Sequence, residues 1–160
     1  MNVSLLGLRG RLHPVLNGIT TPDEVRKSRI HMKMFTGDYL TYSRRSAQSG
    51  GSPLCRCCSV LPPCIEDLEH VLTQCNAYEA IRKRLYDEFK DACEATESNI
   101  AFSTFQRSTA TLSQFILDPT SFNLTPRINF EDKGLNYILK VSRDFCYAIN
   151  NERIRILKAK

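Results

Sequence analysis

The sequence predicts an all-α fold, a small helical domain interrupted by one cysteine-rich loop. Three observations lead there. Apolar residues recur at three- and four-residue intervals over several segments, and none alternates with the two-residue period of a strand. Helix start and stop signals bracket those segments. Five of the seven cysteines, at 55, 57, 58, 64 and 75, fall within 21 residues of a 160-residue chain. A hydrophobic content of 42% beside 24% charge is that of a globular protein, which excludes wholesale disorder.

Residues 1–20 carry Gly7, Gly10, Pro14 and Gly18 and read as an extended arm. Thr21-Pro22-Asp23-Glu24 then supplies an N-cap, a proline at the first helical position and acidic residues facing the helix dipole. This helix is expected to reach Phe35, with Val25, Met32 and Phe35 on its apolar face. A second helix is expected over about 38–48, stopped by Gly50-Gly51-Ser52-Pro53. After the cysteine loop, Glu66 to Glu69 opens a helix whose apolar positions are Leu68, Val71 and Leu72. Tyr78, Ile81, Leu85 and Phe89 continue the helical spacing to about Cys93. Short helices follow over 100–106 and 110–117, and Asp118 to Pro126 reads as a loop. A long amphipathic helix from Glu131 to Leu157 presents Leu135, Ile138, Leu139, Phe145, Cys146, Ile149 and Ile156. The expected organisation is an arm over 1–20, basic helices with a metal module over 21–95, and a helical region over 96–160.

No apolar run is long enough for a transmembrane helix. Gly7, Arg9 and Gly10 interrupt any signal-type segment at the start. The expectation is an intracellular protein of the cytoplasm, the nucleus or both, not secreted and without membrane partners. Seven cysteines would leave one thiol outside any closed disulfide set, and in a reducing compartment clustered cysteines bind metal more often than they pair. Two residues lie between Cys55 and Cys58, and a tight turn there aims both thiolates at one ion. After eleven intervening residues come His70 and Cys75, with four residues between them, at a helix end. Cys55, Cys58, His70 and Cys75 thus have the spacing of a tetrahedral Zn2+ site. Cys64 ranks as the first substitute ligand, with Cys57 behind it because a one-residue gap chelates poorly. Cys93 and Cys146 lie on helical patterns and read as core residues. Four protein ligands close the coordination shell, so the site reads as structural. A hydrolytic site with Glu69 as general base would need an open position.

Charge divides unevenly: residues 1–50 carry net +5, residues 51–100 net −4, and residues 131–160 net +3. The cations Arg26, Lys27, Arg29, Lys33, Arg44 and Arg45 lie near His31, Tyr39 and Tyr42. Such a mixture can track a phosphate backbone and stack a base. A solvated helix surface has the same composition.

The stretch HMKMFTGDYLTYSRRSAQSGGSPLCRCCSVLPPCIEDLEHVLTQCNAYEAIRKRL resembles the C-terminal zinc-binding segment of non-LTR, LINE-type retrotransposon reverse transcriptases. There a TGDYLTY-like helix precedes GGSP and a Cys-x-x-Cys pair, and an acidic helix with His and a final Cys follows. The resemblance puts the zinc ligands at Cys55, Cys58, His70 and Cys75, as the spacing does. It implies a nucleic-acid-binding zinc finger that holds RNA or DNA through its backbone. The palm motif of an aromatic followed by x-Asp-Asp is absent, as are endonuclease and RNase H carboxylate sets. No catalytic residue and no small-molecule substrate are expected. The alternatives are a structural or protein-interaction zinc module and a non-functional retroelement remnant.

Overall fold

The computed structural model describes residues 16, 18–58, 62–96, 100–122, 124 and 133–159. Most of the expected arm, and the segment 125–132 ahead of the last helix, lie outside them. The described chain is mostly α-helical and carries no strand, only an isolated antiparallel bridge between Leu54 and Ile65. No described helix is long and apolar enough to cross a membrane.

The first helix, α1 (Pro22–Phe35), starts as its sequence dictates: the Thr21 side chain accepts from the Glu24 amide at 3.2 Å, with Pro22 in the first turn. Its buried face, however, is Ser28, His31 and Met34. Val25 is 56% exposed, and Met32 and Phe35 are only half-buried. The rotation has a cause. His31 Nε2 donates to the Leu117 carbonyl at 3.0 Å, so the helix turns to bury an imidazole that satisfies a carbonyl at the end of a neighbouring helix. Two cross-helix ion pairs fix the same orientation, Lys27 to Asp144 at 2.8 Å and Arg143 to Glu24 at 3.2 Å.

Helix α2 (Tyr42–Ser49) begins later than the expected residue 38, because Thr41 Oγ1 caps it by accepting from the Arg44 amide at 3.2 Å. It ends where Gly50 adopts φ 75°, a left-handed conformation that suits glycine. None of its residues is fully buried, so tertiary ties rather than a core face hold it.

Helices α3 (Glu79–Glu94), α4 (Thr109–Leu117) and α5 (Lys133–Lys158) build the core with α1. Helix α5 packs along both α1 and α3, so the expected boundary near residue 95 runs through one continuous core. From α3 come Leu85, Phe89, Ala92 and Cys93; from α5, Leu135, Ile138, Leu139, Phe145, Cys146 and Ile149. A 3₁₀ turn, Phe102–Arg107, packs on α3 and α4 and buries Phe102 and Phe105 there. Phe89 and Phe102 stack at 5.5 Å, and Phe105 and Phe115 at 3.9 Å between centroids. Truncating one such ring costs about 3–5 kcal/mol. Cys93 and Cys146 are fully buried in this core, as their helical positions suggest. Burial raises both thiols, Cys93 to about 12. A second 3₁₀ turn, Pro119–Phe122, occupies part of the expected loop.

Candidate metal centre

The cysteine loop is folded by its backbone before any ligand is considered. The Cys55 amide donates to the Cys64 carbonyl at 2.8 Å, and the Glu66 amide to the Pro53 carbonyl at 2.9 Å. These bonds flank the Leu54–Ile65 bridge and make the loop a short hairpin-like knuckle. The helix expected to open at Glu66 opens only after it. Asp67 Oδ1 accepts from the His70 amide at 2.7 Å, capping the turn. The chain then winds as a π-type stretch, His70–Gln74, closed by the Cys75 amide on the His70 carbonyl at 2.8 Å. This winding matters for the site. In an α-helix a residue five positions on lies about 140° around the axis. The wider i→i+5 winding closes much of that angle and turns His70 and Cys75 toward one side.

Cys55 Sγ, Cys58 Sγ, Cys75 Sγ and a ring nitrogen of His70 all lie within 4.8 Å of one another. Cys55 Sγ and Cys75 Sγ are 3.9 Å apart, and a tetrahedron with ~2.3 Å metal–sulfur bonds has edges of about 3.8 Å. His70 supplies the decisive test of fit. It is buried, and neither ring nitrogen has a hydrogen-bond partner. An unsatisfied buried group costs about 1–3 kcal/mol. A cation among the thiolates would give one nitrogen its partner. The four residues therefore lie close enough, and carry the right donors, to hold a metal ion.

The thiols of the group are not shifted alike. Hydrogen bonds from the Cys57 and Cys75 thiols push Cys55 far below the ordinary thiol range, so its thiolate is favoured. The same bonds, with burial, raise Cys57 and Cys75 as the donors. The order of substitutes is the reverse of that expected. Cys57 lies beside Cys55 and Glu66 in a second close group of donors. The Cys64 thiol turns instead to the Pro62 carbonyl at 3.9 Å. What Cys64 contributes is its backbone oxygen.

Glu66, absent from the expected site, is its main support. It is fully buried, and its Oε1 accepts from Arg153 at 2.6 Å and from the Tyr42 amide at 2.9 Å. One carboxylate thus joins the knuckle, the start of α2 and the end of α5. Burial raises the Glu66 carboxyl, against the pull of Arg153. Glu69 is engaged elsewhere, accepting from Thr109 and from Gln74.

The expected basic residues take different positions. Arg26, Arg29 and Lys33, three and four residues apart on α1, are all exposed and form one stripe opposite the buried face. Lys27 is held inward by Asp144 and Asp23, whose carboxylates raise its ammonium. Arg44 pairs with Asp38 at 3.2 Å, while Arg45 and the Arg56 of the knuckle both lie over the Tyr42 ring, at 5.5 and 5.0 Å from its centroid. The aromatic side chains expected to stack bases are less available. His31 and Tyr39 are buried, and burial raises the Tyr39 phenol to about 12.

Comparison with protein-family models, curated proteins and solved structures gave no match.

Proposed function

We propose that the protein is a zinc-stabilised nucleic-acid-binding module that holds RNA or DNA by its phosphate backbone. Cys55, Cys58, His70 and Cys75 would hold Zn2+, the metal favoured by thiolates and imidazole in a tetrahedral set. The ion supplies folding energy, about 10–16 kcal/mol in zinc-finger peptides. A four-ligand shell leaves no coordination position for substrate. The observation that carries nucleic-acid binding is the exposed cationic stripe of Arg26, Arg29 and Lys33. Among the described residues, Arg29 and Lys33 make no ion pair, and Arg26 makes only a long exposed one of 3.7 Å to Asp23. The resemblance of the segment from about 30 to 85 to retrotransposon reverse transcriptase tails supports the same reading.

The test is equilibrium binding of the zinc-loaded chain to labelled single-stranded RNA and duplex DNA across salt concentrations. Affinity should fall steeply with salt, with a log–log slope of about −0.7 per phosphate contact on a single strand and −0.9 on a duplex. Absence of binding, or binding indifferent to salt, overturns the reading. A protein-docking module is the second reading, favoured by Leu54 and Ile65. They stand paired across the bridge and are 38% and 55% exposed. It would show as a defined protein complex that competitor RNA leaves intact.

A further inference from the structure

The knuckle puts different residues on its two faces. Leu54 pairs with Ile65 across the bridge, and on an antiparallel pair the next residue of each side points to the opposite face. Leu54 and Ile65 are exposed, whereas Cys55 and Glu66, one step further along, are buried. The backbone bonds from Cys55 to Cys64 and from Glu66 to Pro53 hold that register. A carboxylate is thereby buried beside a thiol, and Cys57 completes the group. One oxygen of Glu66, Cys55 Sγ and Cys57 Sγ all lie within 4.8 Å of one another. Only half of the carboxylate is satisfied. Oε1 accepts from Arg153 and from the Tyr42 amide, while Oε2 is buried without a partner. A buried acceptor left in that state costs about 1–3 kcal/mol, and more when charged.

We propose that Cys55, Cys57 and Glu66 hold a second divalent cation, a Zn2+ beside the first, with the Cys55 thiolate bridging the two ions. The proposal rests on the four-ligand zinc reading through that shared thiolate, and not on nucleic-acid binding. Thiolate and carboxylate are both zinc donors. The one-residue gap that told against Cys57 is no obstacle here, because the fold brings its sulfur within reach of Cys55. Charge favours two ions over one. Around a single ion, the thiolates of Cys55, Cys58 and Cys75 with Glu66 carry four negative charges. The ion and Arg153, which pairs with Glu66, carry three positive ones. The charge left over is costly in a group removed from water. With a second divalent ion and an ionised Cys57, five negative charges meet five positive. The second ion also gives Glu66 Oε2 its missing partner. Glu66 in turn holds the start of α2 through Tyr42 and the end of α5 through Arg153. Three protein donors leave one position of a tetrahedron for water.

The experiment titrates the reduced, metal-free full chain with Zn2+ and counts the zinc that stays bound through gel filtration. The same is done for Cys57→Ser, Glu66→Gln and Cys64→Ser, with circular dichroism to show that each is folded. The parent and Cys64→Ser should retain two ions per chain, and Cys57→Ser and Glu66→Gln one. Should Glu66→Gln fail to fold, Cys57→Ser decides the matter alone, because it leaves the Glu66–Arg153 pair in place. The parent loaded with NMR-active cadmium should show two metal resonances, each split by coupling through the shared sulfur. Two sharp, unsplit resonances overturn the bridge. One ion in the parent, unaffected by Cys57→Ser, overturns the second site and leaves the four-ligand site standing. Oε2 then belongs to Arg153 Nε, which also lacks a partner. A second ion lost in Cys64→Ser but kept in Cys57→Ser assigns it to the loop surface and overturns the site as well. A single ion that Cys57→Ser abolishes overturns both the pair and the four-ligand reading, and so does a chain that retains no zinc.

Discussion

His70 shows how much one residue decides. Its spacing from Cys75 marked it as a ligand in the sequence, and the fold buries its imidazole with both nitrogens unpartnered beside three thiols. Replacing His70 by Ala should therefore cost metal affinity about as much as Cys75→Ala, read as zinc retained under chelator competition. Cys64→Ala should retain the metal, since that thiol points away to Pro62. Glu66 was not legible in the same way. In the sequence it is one acid in an acidic helix start; only the fold reveals that Arg153, 87 positions later, reaches it at 2.6 Å. Removing one partner of a buried pair leaves an uncompensated charge, at about 3–5 kcal/mol. Glu66→Ala should lower stability by that order in urea unfolding and also loosen the start of α2. A loss below about 1 kcal/mol would mean that water reaches Arg153.

At the scale of elements, caps and periodicity were the legible part. Thr21 with Pro22 starts α1, Gly50 ends α2, and the apolar pattern of α3 and α5 matches their buried faces. The face of α1 was misread for a physical reason: hydrophobicity pointed to Val25, whereas a histidine bond and two ion pairs fixed the rotation, and all three partners lie in distant segments. The π-type winding at His70–Gln74 has no periodic signature either. Close approach of elements gives a sharp test. A Cβ on Gly134 would lie 2.5 Å from the Ala95 carbonyl oxygen, against backbone that has no rotamer with which to yield. Gly134→Ala should cost about 1–3 kcal/mol as overpacking, despite the better helix propensity of Ala. The α1–α5 clamp gives a test by pH. Burial would raise Asp144, but hydrogen bonds from Lys27 and Lys140 outweigh it and hold the carboxyl below its ordinary range. A carboxyl lowered on folding takes up its proton more readily in the unfolded chain, so its contribution is present above the ordinary carboxylate pKa and lost as pH falls through the folded value. Asp144→Asn should then be less stable than the parent near neutral pH, the gap closing in acid.

Across the whole molecule, the cysteine loop and the helical core are joined but would not depend equally on a bound ion. Helices α1, α3, α4 and α5 share one apolar cluster whose aromatic rings pack against each other without the knuckle. Helix α2 has no buried residue and depends on Glu66 and on the stacked arginines. Cys55 and Cys75 belong to this cluster, but none of the described ring pairs includes a residue of the knuckle, so a vacated site would leave that aromatic packing in place. Stripping the metal should thus unfold α2, the knuckle and the turn through Cys75, and leave the other helices folded. The measurement is circular dichroism with amide hydrogen exchange during chelator titration. Helicity should fall by a minor fraction, and protection should vanish over about 40–75 while Phe89, Ile138 and Phe145 stay protected. Restored zinc should bring both back. Complete unfolding in chelator would mean that the core cannot hold α1 and α5 together without the ion, and an unchanged exchange pattern would mean that no metal organises the loop.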